Sequence, residues 1–205
     1  MTLLRIDSSA RGRSVSRQLT SRFVEEWKKH NPNGQVVERD LALTPLPHIT
    51  DEFPAGSADL ASLSSEQREY LTTSDALVDE LLSADIIVIG SPMYNYAISW
   101  ELKAWIDQIV RLGRTVTYGA NGPQGLLLGK KVVVITSRGG AYAAGTPRAP
   151  FDFQEPYLRH IFRFIGITDI QFIHVDNQYR KDQAEVGRAN ALEQISKSVL
   201  QTVSV

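Results

Sequence analysis

The chain has 205 residues, of which 42% are hydrophobic and 22% charged, and this size and balance suit one α/β domain (residues 1–205) with a substantial core. A net charge of −1 without a long basic run argues against a nucleic-acid surface, which needs clustered Lys and Arg. The absence of cysteine excludes disulfides, thiolate nucleophiles and Cys-ligated metal or iron–sulfur sites. No apolar run is long enough to span a bilayer or to serve as a leader, so a soluble cytoplasmic protein is the expectation.

Thr2 to Asp7 reads as a first strand, with Leu3, Leu4 and Ile6 in a short apolar run. A serine-rich loop follows, and then a helix whose Leu19, Phe23 and Trp27 fall four apart on one face. Asn31-Pro32-Asn33-Gly34 ends it, and Gln35 to Asp40 reads as a second strand. Residues 41–63 lack a period but keep Leu43, Leu46, Ile49 and Phe53, and so read as an excursion packed on the domain. A helix is predicted from about Ser65 to Leu82, with Leu71, Leu77, Val78, Leu81 and Leu82 on its buried side.

The run Ile86–Ile89 suits a strand buried on both faces, stopped by Gly90, Ser91 and Pro92. Ser99 is a plausible N-cap for the helix carrying Leu102, Trp105, Ile106, Ile109 and Val110. Residues 118–125 read as a glycine-punctuated loop and Lys131 to Ser137 as a strand. After a glycine-rich loop come a helix over Glu155 to Ile165, a last strand over Asp169 to His174 and a last helix over Asp182 to Val199, with Leu192, Ile195 and Val199 on one side. The alternation predicts a doubly wound α/β fold, a five-stranded parallel sheet with helices on both faces.

Three loops at carboxyl ends of strands hold the candidate chemistry, because open α/β sheets bind ligands at that end. The first carries Ser8, Ser9, Ser14, Val15 and Ser16 at a helix N-terminus, where hydroxyls and free N–H groups suit an anion and Arg11 and Arg13 add charge. The plainer reading is that Ser14 only caps the helix. The second is Ser91-Pro92-Met93-Tyr94-Asn95-Tyr96, whose thioether, rings and amide suit a flat heteroaromatic ligand, or else simply cover the sheet end. The third, Ser137-Arg138-Gly139-Gly140, lets backbone N–H groups approach a ligand edge, or is a flexible turn. Neither a Walker motif nor G-x-G-x-x-G is present, which leaves a smaller phosphorylated ligand. In a flavodoxin-like order 2-1-3-4-5 the three loops are neighbours, with FMN at the switch point between strands one and three. His30, His48, His160 and His174 show no metal-ligand spacing, and no metal site is expected.

Four stretches, Pro92 to Asp107, Tyr118 to Lys131, Ile135 to Gly140 and Pro156 to Asp169, closely resemble the FMN-dependent NADH azoreductases of bacteria, within the wider flavodoxin-like NAD(P)H:quinone reductase group. The resemblance runs nearly the full chain. It implies that Ser9 and Ser14-Val15-Ser16 hold the FMN phosphate, with Ser8 the alternative to Ser9. It further implies that Pro92, Met93, Tyr94, Asn95 and Tyr96 contact ribityl and ring, and that Ser137, Arg138, Gly139 and Gly140 meet the isoalloxazine edge. Many relatives have Gln where this chain has Val15, so any side-chain contact there is lost while backbone binding survives.

The implied activity is ping-pong transfer of two electrons from the co-substrate NADH, through one FMN per subunit, to quinones and azo compounds, in a homodimer. The flavin would carry the chemistry, with no catalytic side chain. A flavodoxin-type electron carrier with a protein partner is the alternative, although such carriers are often strongly acidic and this chain is not. A phosphate-binding hydrolase using the serine loop lacks a Cys nucleophile and any recognisable base.

Overall fold

A computed structural model describes residues 1–51, 53 and 62–203. The strands are β1 (Thr2–Asp7), β2 (Gln35–Asp40), β3 (Ile86–Pro92), β4 (Val116–Gly119), β5 (Gly122–Gly125), β6 (Lys131–Ser137) and β7 (Asp169–Val175). The helices are α1 (Val15–His30), α2 (Ser65–Ser83), α3 (Trp100–Ile109), α4 (Glu155–Phe164) and α5 (Lys181–Val203). Five strands form one parallel sheet in the order β2-β1-β3-β6-β7, which is the expected 2-1-3-4-5 order.

Alternation along the central strands divides the core. Leu4, Ile6, Ile87, Ile89, Val132 and Val134 face α2, α3 and α4, joined by Trp105 and Phe162. Leu3, Ile86, Val88, Val133 and Ile135 face α1 and α5, joined by Phe23, Trp27, Ile195 and Val199. Each fully buried side chain of this kind contributes roughly 1.5–3 kcal/mol of transfer free energy. Among the described residues no helix is long and apolar enough to cross a membrane.

Helix starts follow their caps. Ser14 accepts from the Arg17 N–H at 3.2 Å and Ser99 from the Leu102 N–H at 3.4 Å. Ser64 and Gln67 form a reciprocal capping box on α2. Lys28, Lys29 and His30 close α1 where cations suit the helix dipole.

Several expectations need correction. Residues 118–125 belong to an antiparallel β4–β5 hairpin, register Val116↔Gly125, and are not a plain loop. Gly125 lies so close to Gly166 that a Cβ would overlap the Gly166 backbone, and the Leu127 N–H donates to the Ile165 carbonyl at 2.9 Å. The hairpin therefore packs at the C-terminal end of α4, at the amino end of the sheet and away from the ligand rim. Strand β3 does not stop at Ile89: Gly90, Ser91 and Pro92 pair with Ile135, Thr136 and Ser137. Proline is tolerated at this last position because β1 pairing has already ended at Asp7↔Gly90, so no ladder bond is lost there.

The last helix runs to Val203, and Ala191 is buried in place of Leu192, which is exposed. On α2 the buried side is Ser74, Leu77, Val78 and Leu81, while Leu82 is exposed. In the excursion Leu46 is buried, but Leu43 and Ile49 are exposed. Residues 52 and 54–61 of that excursion lie outside the described residues.

Candidate functional site

The serine loop leaves the end of β1 and turns into α1. Ser8 is committed to the sheet: its N–H and its hydroxyl both donate to the Gly90 carbonyl, at 3.1 and 2.9 Å. Ser9 faces the loop instead, accepting from the Arg11 N–H at 3.2 Å and lying 3.4 Å from the Tyr94 hydroxyl. The Ser14 and Ser16 hydroxyls are 3.4 Å apart, both buried. The Val15 and Ser16 N–H groups precede the first intrahelical donor, the Gln18 N–H, and donate to no group among the described residues. Two hydroxyls, two unclaimed N–H groups and the positive end of α1 make a site for an anion. Arg11 and Arg13 are exposed around it.

The loop is braced from behind by groups that sequence reasoning missed. Arg17 pairs with Asp40 and donates to the Ser9 carbonyl at 2.9 Å. The Asp40 carboxyl sits below its ordinary value: burial opposes this, but the Arg17 hydrogen bond and charge prevail. Burial pushes the neighbouring Asp7 carboxyl up, against the Thr20 hydrogen bond and the Arg5 and Arg17 charges. Gly90 is required here, since a Cβ would stand 2.8 Å from Asp7 Oδ1 and 3.1 Å from Thr20 Cγ2. Its bareness lets α1, and hence the serine loop, sit directly on β3.

The tyrosine loop is anchored to β6 by the Met93 N–H, which donates to the Ser137 carbonyl at 2.9 Å. Tyr94 and Ala97 exchange backbone bonds at 2.9 and 3.0 Å around Asn95 (φ 49) and Tyr96 (φ 71). Both central residues are left-handed, as a two-residue reversal demands. Asn tolerates this, whereas an aromatic residue there costs about 1–2 kcal/mol. Surroundings hold Tyr96 in place: its carbonyl accepts from the Phe153 N–H at 3.1 Å, and its ring meets the Tyr142 ring edge-on at 6.3 Å.

The glycine loop differs from expectation in one side chain. The Arg138 guanidinium is turned inward, 1% exposed, binding Asp176 through Nε at 2.6 Å and Asp152 through Nη1 at 2.9 Å. It also lies 5.6 Å from the Tyr142 ring centroid. Asp152 in turn caps α4, accepting from the Gln154 and Glu155 N–H groups at 2.9 and 3.1 Å. What the loop presents outward is backbone: the Gly139 and Gly140 N–H groups donate to no group among the described residues.

A cavity of about 240 Å³ lies between these loops, walled by Met93, Asn95 and Tyr96 on one side and Gly139 and Gly140 on the other. Tyr142, Arg148 and Tyr179 complete its wall, and nothing in the sequence context of Arg148 and Tyr179 singled them out. A Cβ on Gly139 would overlap the Tyr179 ring and one on Gly140 the Arg148 guanidinium. Pro92, Tyr94, Ser137, Arg138 and the serines do not line this cavity, and the serine loop adjoins it through the Ser9–Tyr94 contact. The geometry fits a flat, phosphorylated ring system such as FMN: an anion cradle at the β1/β3 switch point, then a slot with aromatic and thioether walls and free N–H donors at its edge.

A five-stranded sheet in this order, with an anion cradle and a ring slot at its carboxyl ends, defines a flavodoxin-like ligand-binding protein. Residues 1–199 match the family model described as "Flavodoxin-like fold". The chain is 46% identical over 201 residues to the FMN-dependent NADH:quinone oxidoreductase of Nostoc sp., covering 96% of this chain and 97% of that one. It is likewise 46% identical over 198 residues to the Azotobacter vinelandii protein of that name, covering 95% and 98%. Among solved structures, an azoreductase from Bacillus anthracis superposes with a TM-score of 0.91 at 28% identity, covering 98% and 99%. The chain belongs to the flavodoxin-like family of FMN-dependent NADH:quinone oxidoreductases.

Proposed function

We propose that this protein is an FMN-dependent NADH:quinone oxidoreductase and azoreductase, one domain over residues 1–205, acting in the cytoplasm as a homodimer with one FMN per subunit. The observation that carries this reading is the convergence of three loops, two of them presenting unclaimed N–H groups, around one anion cradle and one slot. FMN, when bound, supplies acceptance of hydride from NADH and its delivery to quinones or azo compounds.

The chain binds, orients and stabilises. Ser9, Ser14 and Ser16 with the Val15 and Ser16 N–H groups hold the phosphate. Pro92, Met93, Tyr94, Asn95 and Tyr96 flank ribityl and ring. Ser137 and Arg138 hold the glycine loop, so that the Gly139 and Gly140 N–H groups meet the ring edge where negative charge develops.

The dimer reading rests on an apolar face. Trp100 is 50% and Phe153 60% exposed, and between the N-terminal turns of α3 and α4 they border an apolar cavity of about 610 Å³ with Ile98 and Tyr157. Such a patch marks an interaction surface. Tyr142 is buried, and Tyr118, at 65% exposure, sits on the hairpin at the opposite end. A two-fold axis running across α3 and α4 brings one copy's hairpin toward the other's ligand rim.

The test is the absorption spectrum of purified protein, followed by anaerobic addition of NADH. Flavin bands that release FMN, bleach with NADH and return with a quinone are expected. Bleaching by no nicotinamide would overturn the reductase reading and favour an electron carrier.

A further inference from the structure

The ring slot contains one charged side chain. Its other walls are Met93, Asn95, Tyr96, the two glycines, Tyr142 and Tyr179. Arg148 reaches it from the stretch between β6 and α4, which is held by local bonds. The Thr146 hydroxyl donates to the Ala143 carbonyl at 2.8 Å, and the Ala149 N–H donates to the Thr146 carbonyl at 3.1 Å. The guanidinium rests on Gly140, in space a Cβ would occupy, so this glycine admits the cation to the slot.

Among the described residues nothing neutralises it. The adjacent Arg138 is taken up by Asp152 and Asp176. The Arg148 guanidinium has no ion pair and no hydrogen bond among the described residues, and no carboxylate lines the slot. A planar, permanently charged fork against the backbone, beside aromatic rings and without a counter-ion, suits a bidentate oxyanion.

We propose that Arg148 recognises an oxyanion on the molecule that exchanges hydride in this slot. That group is a phosphate of the nicotinamide dinucleotide, or a carboxylate or sulfonate on an aromatic acceptor. The inference rests on the oxidoreductase reading above and specifies its substrates: flat rings with an anionic substituent are favoured over neutral ones of the same shape.

The test uses the FMN-loaded protein and R148Q, with R148K as the charge-retaining comparison. KM is measured for NADH, for 1,4-naphthoquinone-2-sulfonate and for neutral 1,4-naphthoquinone. Equilibrium binding of NAD⁺ and of unreactive 2-naphthalenesulfonate is titrated by tryptophan fluorescence. Loss of a hydrogen bond to a charged group predicts about a tenfold or larger rise in KM and Kd for an anionic ligand relative to the neutral quinone, partly restored in R148K. A selective rise for NADH and NAD⁺ identifies the dinucleotide phosphates, and one for the two sulfonates identifies the acceptor. Equal changes for anionic and neutral ligands, or none, overturn the proposal. The titrations need no turnover, so they judge Arg148 even where quinone reduction itself fails.

Discussion

Ser14 has two separable jobs, and Ser14→Asp separates them. As a cap it holds extended backbone (φ −73, ψ 151) and accepts from the Arg17 N–H at 3.2 Å. Asp caps as well as Ser does, and its charge adds about 0.3–1 kcal/mol at a helix N-terminus. The variant apoprotein should therefore melt at or slightly above the parent temperature. As a phosphate ligand the same residue turns from donor to repulsive charge. Two unit charges about 4 Å apart at an effective dielectric of ~20 repel by roughly 4 kcal/mol, or about a thousandfold in FMN affinity. Ser14→Ala is the contrasting control. It loses the cap, about 1 kcal/mol or roughly 2–4 °C at this size, and one charge-assisted bond, about 1.5–3 kcal/mol or ~10- to 150-fold in affinity. Quenching of FMN fluorescence on titration with apoprotein gives the affinity, and thermal unfolding of the apoprotein gives the stability. Ser14→Asp binding FMN within tenfold of the parent would refute the phosphate assignment.

Glu155 gives a pH prediction. The hydrogen bond from His174 Nε2, 2.8 Å away, and a pair with Arg159 lower its carboxyl to about 2, against burial. A depressed carboxyl contributes stability that is complete above its ordinary value of 4.5 and lost as pH falls toward about 2. Between pH 5 and 2.5 the parent should lose roughly 1–2 kcal/mol more than Glu155→Gln in urea unfolding, and equal losses would show that this carboxylate is not the group responsible. For the dimer, Trp100→Asp with Phe153→Asp should shift sedimentation at micromolar concentration toward the monomer while FMN remains bound, and an unchanged dimer would place the interface elsewhere.

The sheet was legible because each central strand is a short apolar run bounded by breakers, and because alternation of strands and helices admits few topologies. The three loops were legible because they follow such strands. The β4–β5 hairpin was not, since Gly119, Gly122, Pro123 and Gly125 are poor strand formers and pair only because Gly125 and Gly166 let the hairpin rest on the end of α4. On α5 Ile195 and Val199 were legible as the buried side but Ala191 was not, because Leu192 and Leu200 are exposed beside them and blur the period. Periodicity says nothing about Arg148 and Tyr179, which reach the slot only through the folding of long connections.

The buried charges behind the loops explain how their N–H groups stay free. A backbone donor useful to a ligand must be left without a protein partner, so its loop needs support from another quarter. Arg17 supplies it to the serine loop by joining Asp40 to the Ser9 carbonyl. Arg138 supplies it to the glycine loop by joining the end of β6 to Asp176 after β7 and to Asp152, which also caps α4. Burying a guanidinium is costly, and two carboxylates in hydrogen-bonding geometry offset that cost. Each bracing arginine is thus neutralised by carboxylates of the protein. Arg148 lines the slot with no carboxylate partner among the described residues, and that contrast in counter-ions separates an arginine that builds the site from one left to act on what enters it.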